Sequence, residues 1–297
     1  MSRTDRPAPS EIEKYNAAAL ASSATVIGQY STSFGLAARL LSSDVRSQVR
    51  TIYALVRIAD EIVDGAAAGA GIGLDGQREL LDDLERETER AILGGYSTNL
   101  VVHAFAITAR EAGIDSSLTA PFFASMRRDL DATPFTAAGV AEYIYGSAEV
   151  IGLMCLRCFL VTSPRTPAEL LELERGACSL GAAFQKINFL RDLACDREIL
   201  GRNYFPGIDP LNMTDTEKNR LIDDIDVDLN AAEAVLAKLP SNSRRAVTAA
   251  HGLFSQLSSR LRSTPAGTLL RARVRVPDGE KLVIAVSAAV TSAGWRR

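Results

Sequence analysis

Along most of the chain, apolar residues recur at the three- and four-residue spacing of an α-helix, and strand-like alternation is rare. Alanine and leucine are abundant, and the helix-breaking residues fall at intervals that suit long helices. We therefore predict an all-α protein. The predicted helices cover residues 10–29, 34–63, 76–93, 97–112, 117–130, 137–162, 167–200, 215–238, 242–262 and 278–293.

Two helix starts are well marked. Thr166 is followed by Pro167 and, three positions on, by Glu169, which together predict a capping box with proline in the first helical turn. Thr214 and Glu217 repeat the pattern. Without internal repeats or a proline-rich linker, the chain is predicted to form one domain over residues 1–297, with residues 1–12 flexible.

The glycine-rich stretch 65–76 is interpreted as a loop between two helices. It contains Gly71-x-Gly73-x-x-Gly76, which formally matches a dinucleotide-binding fingerprint. A functional fingerprint follows a strand and opens a helix. Because an acidic helix precedes this one, nucleotide binding is not expected.

Composition excludes several classes of partner and compartment. The net charge of -3 leaves no basic footprint for nucleic acid. The N-terminus lacks the apolar core of a secretory signal, and no run reaches the ~18 uninterrupted apolar residues of a membrane span. The four cysteines are expected to be reduced thiols, which indicates a cytoplasmic protein; they are Cys155, Cys158, Cys178 and Cys195.

The C-terminal segment leaves two interpretations open. It is favoured as a last core helix with a basic end. Alternatively it lies on the inner face of a membrane, with Trp295 among the headgroups and Arg296 and Arg297 against anionic lipid.

Two pairs of aspartates, each four residues apart, interrupt otherwise apolar helices. Asp60 and Asp64 form one pair, and Asp192 and Asp196 the other. At about 100° per residue, each pair shares a helical face with other polar side chains. We call the two sets the acidic stripes; the first is Tyr53, Arg57, Asp60 and Asp64, and the second is Gln185, Asn188, Asp192 and Asp196.

Carboxylates four residues apart repel each other, and their burial costs further free energy. Pairing with Arg57, Arg191 or Arg202 is one structural explanation. The other is metal binding, because ligands that are all oxygen suit Mg²⁺ or Mn²⁺ rather than zinc. Two facing stripes with nearby arginines would then hold a diphosphate between them.

Residues 143–160 would supply the apolar wall that a carbocation needs once a diphosphate leaves. Small residues at Gly146, Ser147, Ala148 and Gly152 would admit a long chain. The alternative is that they only allow close helix packing.

These motifs resemble the squalene/phytoene synthase family, and within it the bacterial phytoene synthases most closely. The segments that carry the resemblance, in order, are YSTSF (30–34), YALVRIADEIVDG (53–65), YIYGSAEVIG (143–152), FQKINFLRDLACDREILGRNYFP (184–206) and RVRVPDGEKL (273–282). The resemblance implies an all-α isoprenoid-synthase bundle with a central cavity. It also implies condensation of two geranylgeranyl diphosphates through prephytoene diphosphate to phytoene, with Mg²⁺ (or Mn²⁺) and no NADPH.

The resemblance also assigns residues. It makes Asp60, Asp64, Asn188, Asp192 and Asp196 the metal ligands. The diphosphate or its bound waters would be contacted by Tyr53, Arg57, Gln185 and Arg191. Ser31 and Ser33 would lie on the opposite side of the diphosphate, and Arg273 would close the pocket from the C-terminal segment. Arg202 is a weaker candidate for the same contact. Tyr143 would line the cavity near the reacting carbons.

The sequence departs from the family pattern at four positions. Cys195 replaces a common acid, Tyr30 and Thr32 stand where His and Lys or Arg are common, and Phe254 stands where Tyr is expected.

Alternative functions remain open: a synthase that joins C15 units, chain elongation or cyclisation on the same scaffold, and a non-catalytic assembly factor. A peripheral contact with a membrane or with downstream carotenoid enzymes also remains open.

Overall fold

The computed structural model describes residues 8–30, 37–131, 133–193, 203–271 and 273–277, together with residues 284 and 288. Within those ranges no strand occurs, which confirms the all-α prediction. The long helices are α1 (Glu11–Tyr30), α2 (Ser43–Asp64), α3 (Leu74–Gly94), α4 (Leu100–Ala112), α5 (Ser116–Asp129), α6 (Ala137–Ile144), α7 (Val150–Leu160), α8 (Pro167–Arg191), α9 (Asp215–Leu236) and α10 (Arg244–Ser263). Short helical turns occur at Ala66–Gly69, Pro210–Asn212 and Ala266–Leu269.

Both predicted capping boxes are present. Thr166 Oγ1 accepts the backbone N–H of Glu169, and the Glu169 carboxylate accepts the Thr166 N–H at 2.9 Å. Thr214 and Glu217 make the same reciprocal pair at the start of α9. Each box satisfies two backbone donors that a helix start leaves without partners.

Two predicted boundaries near the N-terminal half were wrong. The predicted continuous helix 34–63 is interrupted: Ala37 and Ala38 are helical, residues 39–42 are not, and α2 begins at Ser43, after Ser42 in the N-cap position. The predicted loop 65–76 contains the turn Ala66–Gly69 and the start of α3 at Leu74. Helix α1 begins at Glu11, so the last two residues of the segment predicted as flexible are helical.

Helices α6 and α7 are joined by one π-helical turn, Tyr145–Glu149. Gly146 in this turn packs directly on α5, because a Cβ there would lie 2.2 Å from the carbonyl oxygen of Pro121. By length and composition alone the joined helix Ala137–Leu160 could cross a membrane. In the fold it packs against α2, α5 and α8, and 44% of its most apolar window is buried.

The helix predicted over 167–200 is shorter among the described residues. Helix α8 ends at Arg191, and Asp192 is its C-cap, with φ of -101°. Residues 194–202 lie outside the described ranges, as does the predicted helix 278–293 apart from residues 284 and 288, and so do Trp295, Arg296 and Arg297.

The core consists of two apolar clusters. The first gathers side chains of α2, α4, α5 and α7 and includes the fully buried Phe105, Phe122 and Phe123. The second is built around α8 and α9, with Ile187 and Ile222 at its centre. Helix α8 contributes to both clusters, so it connects the two halves of the fold.

Candidate active site

An apolar cavity of about 270 Å³ lies where the two core clusters meet. Its walls come from α2, α7, α8, α9 and α10, from the π-helical turn and from the segment before α2. Val56 of α2 and Phe184 of α8 line it. Of the small residues predicted to form a wall, Ser147, Ala148 and Gly152 line the cavity, whereas Gly146 packs against α5.

The connection between α9 and α10 lies at one end of the cavity, which we call the floor. The Asn242 side chain donates to the carbonyl of Phe159, at the end of α7, over 3.1 Å. The Asn242 carbonyl accepts the N–H of Ser42, just before α2, at 3.0 Å. The start of α2 and the end of α7 therefore meet at the same floor, next to the lining residues Leu41 and Leu239.

The acidic stripes lie at the opposite end. Helices α7 and α8 are antiparallel and nearly touch: a Cβ on Gly152 would lie 2.6 Å from Ala177 O, and one on Gly181 would lie 2.7 Å from Ala148 O. The C-terminal end of α8 therefore points away from the floor, as does that of α2. On each helix the stripe continues the cavity-lining face, since Asp60 follows Val56 and Asn188 follows Phe184 by one turn.

The first stripe is held together by Arg57. Its Nη1 donates to Asp60 Oδ2 over 2.7 Å, and its Nη2 donates to Glu61. The guanidinium also lies 4.4 Å from the centre of the Tyr30 ring, a cation–π arrangement. Tyr53 is half-buried one turn earlier, and Asp64 is exposed at the end of α2.

Glu61 is a site residue that the sequence reasoning missed. One carboxylate oxygen accepts from Arg57, and the other accepts the Ala66 N–H at 2.9 Å. Burial lowers the pKa of Arg57, but the bond to Glu61 and the charge of Asp60 outweigh this and leave that pKa above its usual value. The four-residue spacing of Arg57 and Glu61 was the signal that could have identified the pair.

In the second stripe, Asp192 is clamped by two arginines. Arg191 donates to it over 2.5 to 3.2 Å, and Arg273 reaches it from the C-terminal segment with Nε 2.6 Å from Oδ1. Gln185 is half-buried. Asn188 Oδ1 is buried and has no hydrogen-bond partner among the described residues.

Tyr143 is buried next to the C-terminal end of α8. It is not among the described residues that line this cavity, is 5% exposed, and donates its hydroxyl to Asp129 Oδ2 over 3.0 Å. Its ring stacks on Tyr204, which in turn stacks on Phe189 at 4.0 Å between centroids. The buried acceptor and the aromatic stack fix the position of the Tyr143 ring. The predicted place of Tyr143 near the reacting carbons stays a prediction.

The donor set fits a hard divalent cation. No cluster of three or more His, Cys, Asp or Glu side chains is assembled among the described residues. However, the buried amide oxygen of Asn188 without a partner is what a hard cation would take up, and Asp60 and Asp192 supply carboxylates at the same end. Several predicted positions lie outside the described residues, namely Ser31, Thr32, Ser33, Cys195, Asp196 and Arg202.

The Phe254 departure lies next to the cavity wall. Its ring stacks on Phe184, with 3.6 Å between ring centroids. The position is therefore used for apolar packing near the second stripe.

Comparison with known proteins supplies the family. The model for "Squalene/phytoene synthase" matches residues 27–209. The chain is 29% identical to 15-cis-phytoene synthase of Paracoccus sp., with 81% of each chain covered, and 28% identical to 15-cis-phytoene synthase of Enterobacter agglomerans, with 88% of this chain and 93% of the relative covered.

Solved structures of this fold are similar over most of their length. A dehydrosqualene synthase in complex with ligand gives a TM-score of 0.79 at 21% identity, covering 95% of this chain and 99% of that one. Squalene synthase HpnC from Alicyclobacillus acidocaldarius gives a TM-score of 0.71 at 17% identity, covering 83% of this chain and 94% of that one. These likenesses show the helical isoprenoid-synthase fold. Because the family model spans more than half of the sequence and includes the first stripe and Gln185, Asn188, Asp192 and Asp196 of the second, the chain belongs to the squalene/phytoene synthase family.

Proposed function

We propose that this prenyltransferase-type enzyme is a magnesium-dependent phytoene synthase, which joins two geranylgeranyl diphosphates head to head through prephytoene diphosphate. The observation that carries the proposal is the geometry of the cavity: its walls are apolar, its floor lies next to the connection that carries Asn242, and both acidic stripes lie toward its other end. An isoprenyl diphosphate has the same division into a long apolar chain and a charged head.

The lining of the cavity along α8 runs from Leu173 to Phe184, about three helical turns or ~16 Å. The preference for a C20 chain over a C15 chain is supported by the two phytoene synthases to which this chain is similar.

The arginines are placed to bind the leaving group. When the allylic C–O bond breaks, its electron pair leaves with the diphosphate and the carbon chain becomes a cation. Arg57, Arg191 and Arg273 carry the donors that would hold the charged oxygens. Magnesium, held by Asp60, Asp64, Asn188 and Asp192, would neutralise the charge that develops on the diphosphate.

The apolar cavity has the complementary role. Its walls exclude water, which would otherwise capture the cation as an alcohol. The two phytoene synthases described above are similar over most of their length, which supports phytoene as the product.

The test is to incubate the purified protein with geranylgeranyl diphosphate, Mg²⁺ and no NADPH, and to identify the hydrocarbon by chromatography and mass spectrometry. We expect phytoene, with loss of activity in EDTA, recovery with Mg²⁺ or Mn²⁺ and poor recovery with Zn²⁺. Full turnover in metal-free buffer would contradict the metal assignment, and absence of any C40 hydrocarbon would contradict the proposed reaction.

A further inference from the structure

Lys218, in the first turn of α9, is the only buried lysine or arginine among the described residues, and its side chain is 2% exposed. Its Nζ donates to the carbonyl of Arg262 over 3.0 Å and to the carbonyl of Thr264. The same nitrogen lies 3.3 Å from Asp215 Oδ1. A lysine is rarely buried unless its charge is paired, and here three N–H donors have three acceptors. The ammonium group therefore holds these three acceptors together.

Two of the acceptors lie where the chain leaves α10. The last carbonyls of a helix have no partner within the helix, and a positive charge beside them is favourable. Thr264 is the C-cap of α10. Asp215 holds the residues that follow, since its Oδ1 accepts the N–H of Ala266 at 2.8 Å. Lys218 and Asp215 thus fix the chain from Arg262 to Ala266 against the start of α9.

The fixed chain leads to Arg273. The turn Ala266–Leu269 comes next, and Leu269 is 1% exposed within the second core cluster. Arg273 follows four residues later, and Val274 packs against the same cluster. The Arg273 side chain is itself 50% exposed, with Nε 2.6 Å from Asp192 Oδ1. Because few atoms pack around this side chain, the path of the backbone before it determines what the guanidinium group can reach.

We propose that Lys218 is a positioning residue for Arg273. It fixes the direction of the chain at the end of α10, so that the guanidinium group of Arg273 stays beside Asp192 and can bind the diphosphate. This inference rests on the proposed function. Lys218 does not line the cavity, and it acts on the reaction only through Arg273. A shift of about 1 Å in a group that binds substrate can lower a rate by about 10²-fold, even when the change is made far from the chemistry.

The first experiment measures kcat/KM for geranylgeranyl diphosphate with Mg²⁺ in Lys218→Met, Arg273→Ala and the double variant. Methionine keeps the length of the side chain and removes its donors. We expect Lys218→Met to lower kcat/KM at least about tenfold. The double variant should have the same kcat/KM as Arg273→Ala alone, because residues that act through one another are not additive.

Two further variants separate positioning from general stability. Asp215→Ala serves if Lys218→Met does not fold, because the Asp215 side chain is 63% exposed and holds the same chain; it should lower kcat/KM at least about threefold. The matched control is Arg262→Met, because the Arg262 side chain pairs with Asp223 and Asp226 of α9. This control weakens the contact between the same two helices but leaves the carbonyl that Lys218 binds, so it should keep the wild-type kcat/KM.

Hydrogen exchange measures the placement of the chain without substrate. The amides of Ala266 and Thr268 should exchange faster in Lys218→Met and Asp215→Ala than in the wild type or Arg262→Met. Unchanged exchange in both variants would overturn the inference.

The kinetic outcomes that would overturn it are a wild-type kcat/KM in folded Lys218→Met, or in Asp215→Ala if Lys218→Met does not fold, an equal loss in Arg262→Met, or losses that multiply in the double variant. A wild-type protein that forms no C40 hydrocarbon would instead overturn the proposed function, and the exchange rates would still test how Lys218 places the chain.

Discussion

Asp192 and Arg57 are the residues around which the ion pairs of the two stripes are organised. Asp192 is 21% exposed and is paired with both Arg191 and Arg273, whereas the single Arg57 is paired with both Asp60 and Glu61. In the proposed complex these ion pairs would be replaced by contacts with the ligands: the carboxylates would bind the metal ion and the guanidinium groups would bind the diphosphate. The arginine pairing considered from sequence and the metal binding are thus compatible.

The stripes are tested by Asp60→Asn and Asp192→Asn. Each variant should lose at least about two orders of magnitude in kcat, because a neutral amide binds the metal of the leaving group less well. The exposed Asp75, on α3, supplies the control Asp75→Asn, which should keep wild-type activity. Steady-state kinetics and circular dichroism on all three would decide the matter: near-normal rates in a folded stripe variant would mean that the stripes are structural.

At the scale of helices, the sequence predicted most of the architecture, and the errors have tertiary causes. The capping boxes at Thr166 and Thr214 are local signals, and both starts were correct. The end of α8 carries no glycine or proline, and Asp192 is held there by Arg273 from 81 residues away. Similarly, no local pattern predicts the π-helical turn, in which Gly146 packs on Pro121.

In the candidate site, the relations between residues on one helix could be predicted from the sequence, and the contacts between helices could not. Spacing on the helix placed Arg57 beside Asp60 and put Asn188 one turn from Asp192, since these relations depend only on helical geometry. The hydrogen bond of Tyr143 could not be predicted, because its acceptor is the buried Asp129 of another helix. Arg273 was placed through the resemblance alone, and the structure adds its contact with Asp192.

The close approach of α7 and α8 is tested by Gly181→Ala. The new methyl group would lie 2.7 Å from Ala148 O and 3.0 Å from Glu149 Cα, both backbone atoms, so the variant should lose about 1–3 kcal/mol of unfolding free energy. The matched control is Gly28→Ala in α1, where no described atom lies within 4 Å; it should be neutral or gain up to about 1 kcal/mol. Urea denaturation measures both, and equal stability of the two variants would contradict the packing.

At the scale of the whole molecule, the two core clusters leave a cavity between them whose floor is fixed by one side chain. Asn242 ties the connection between α9 and α10 to the end of α7, and its own carbonyl holds the start of α2. Because several walls meet at this floor, the length of the cavity is a property of the fold.

A competition between geranylgeranyl and farnesyl diphosphate at equal concentrations with Mg²⁺, scored by the hydrocarbons formed, tests the proposed substrate most directly. Because the relatives described above are phytoene synthases, we expect the C40 product to predominate, with each added isoprene unit contributing binding through apolar burial. Omission of NADPH should not change the result. Predominance of a C30 hydrocarbon would contradict the C20 assignment and identify a synthase that joins C15 units.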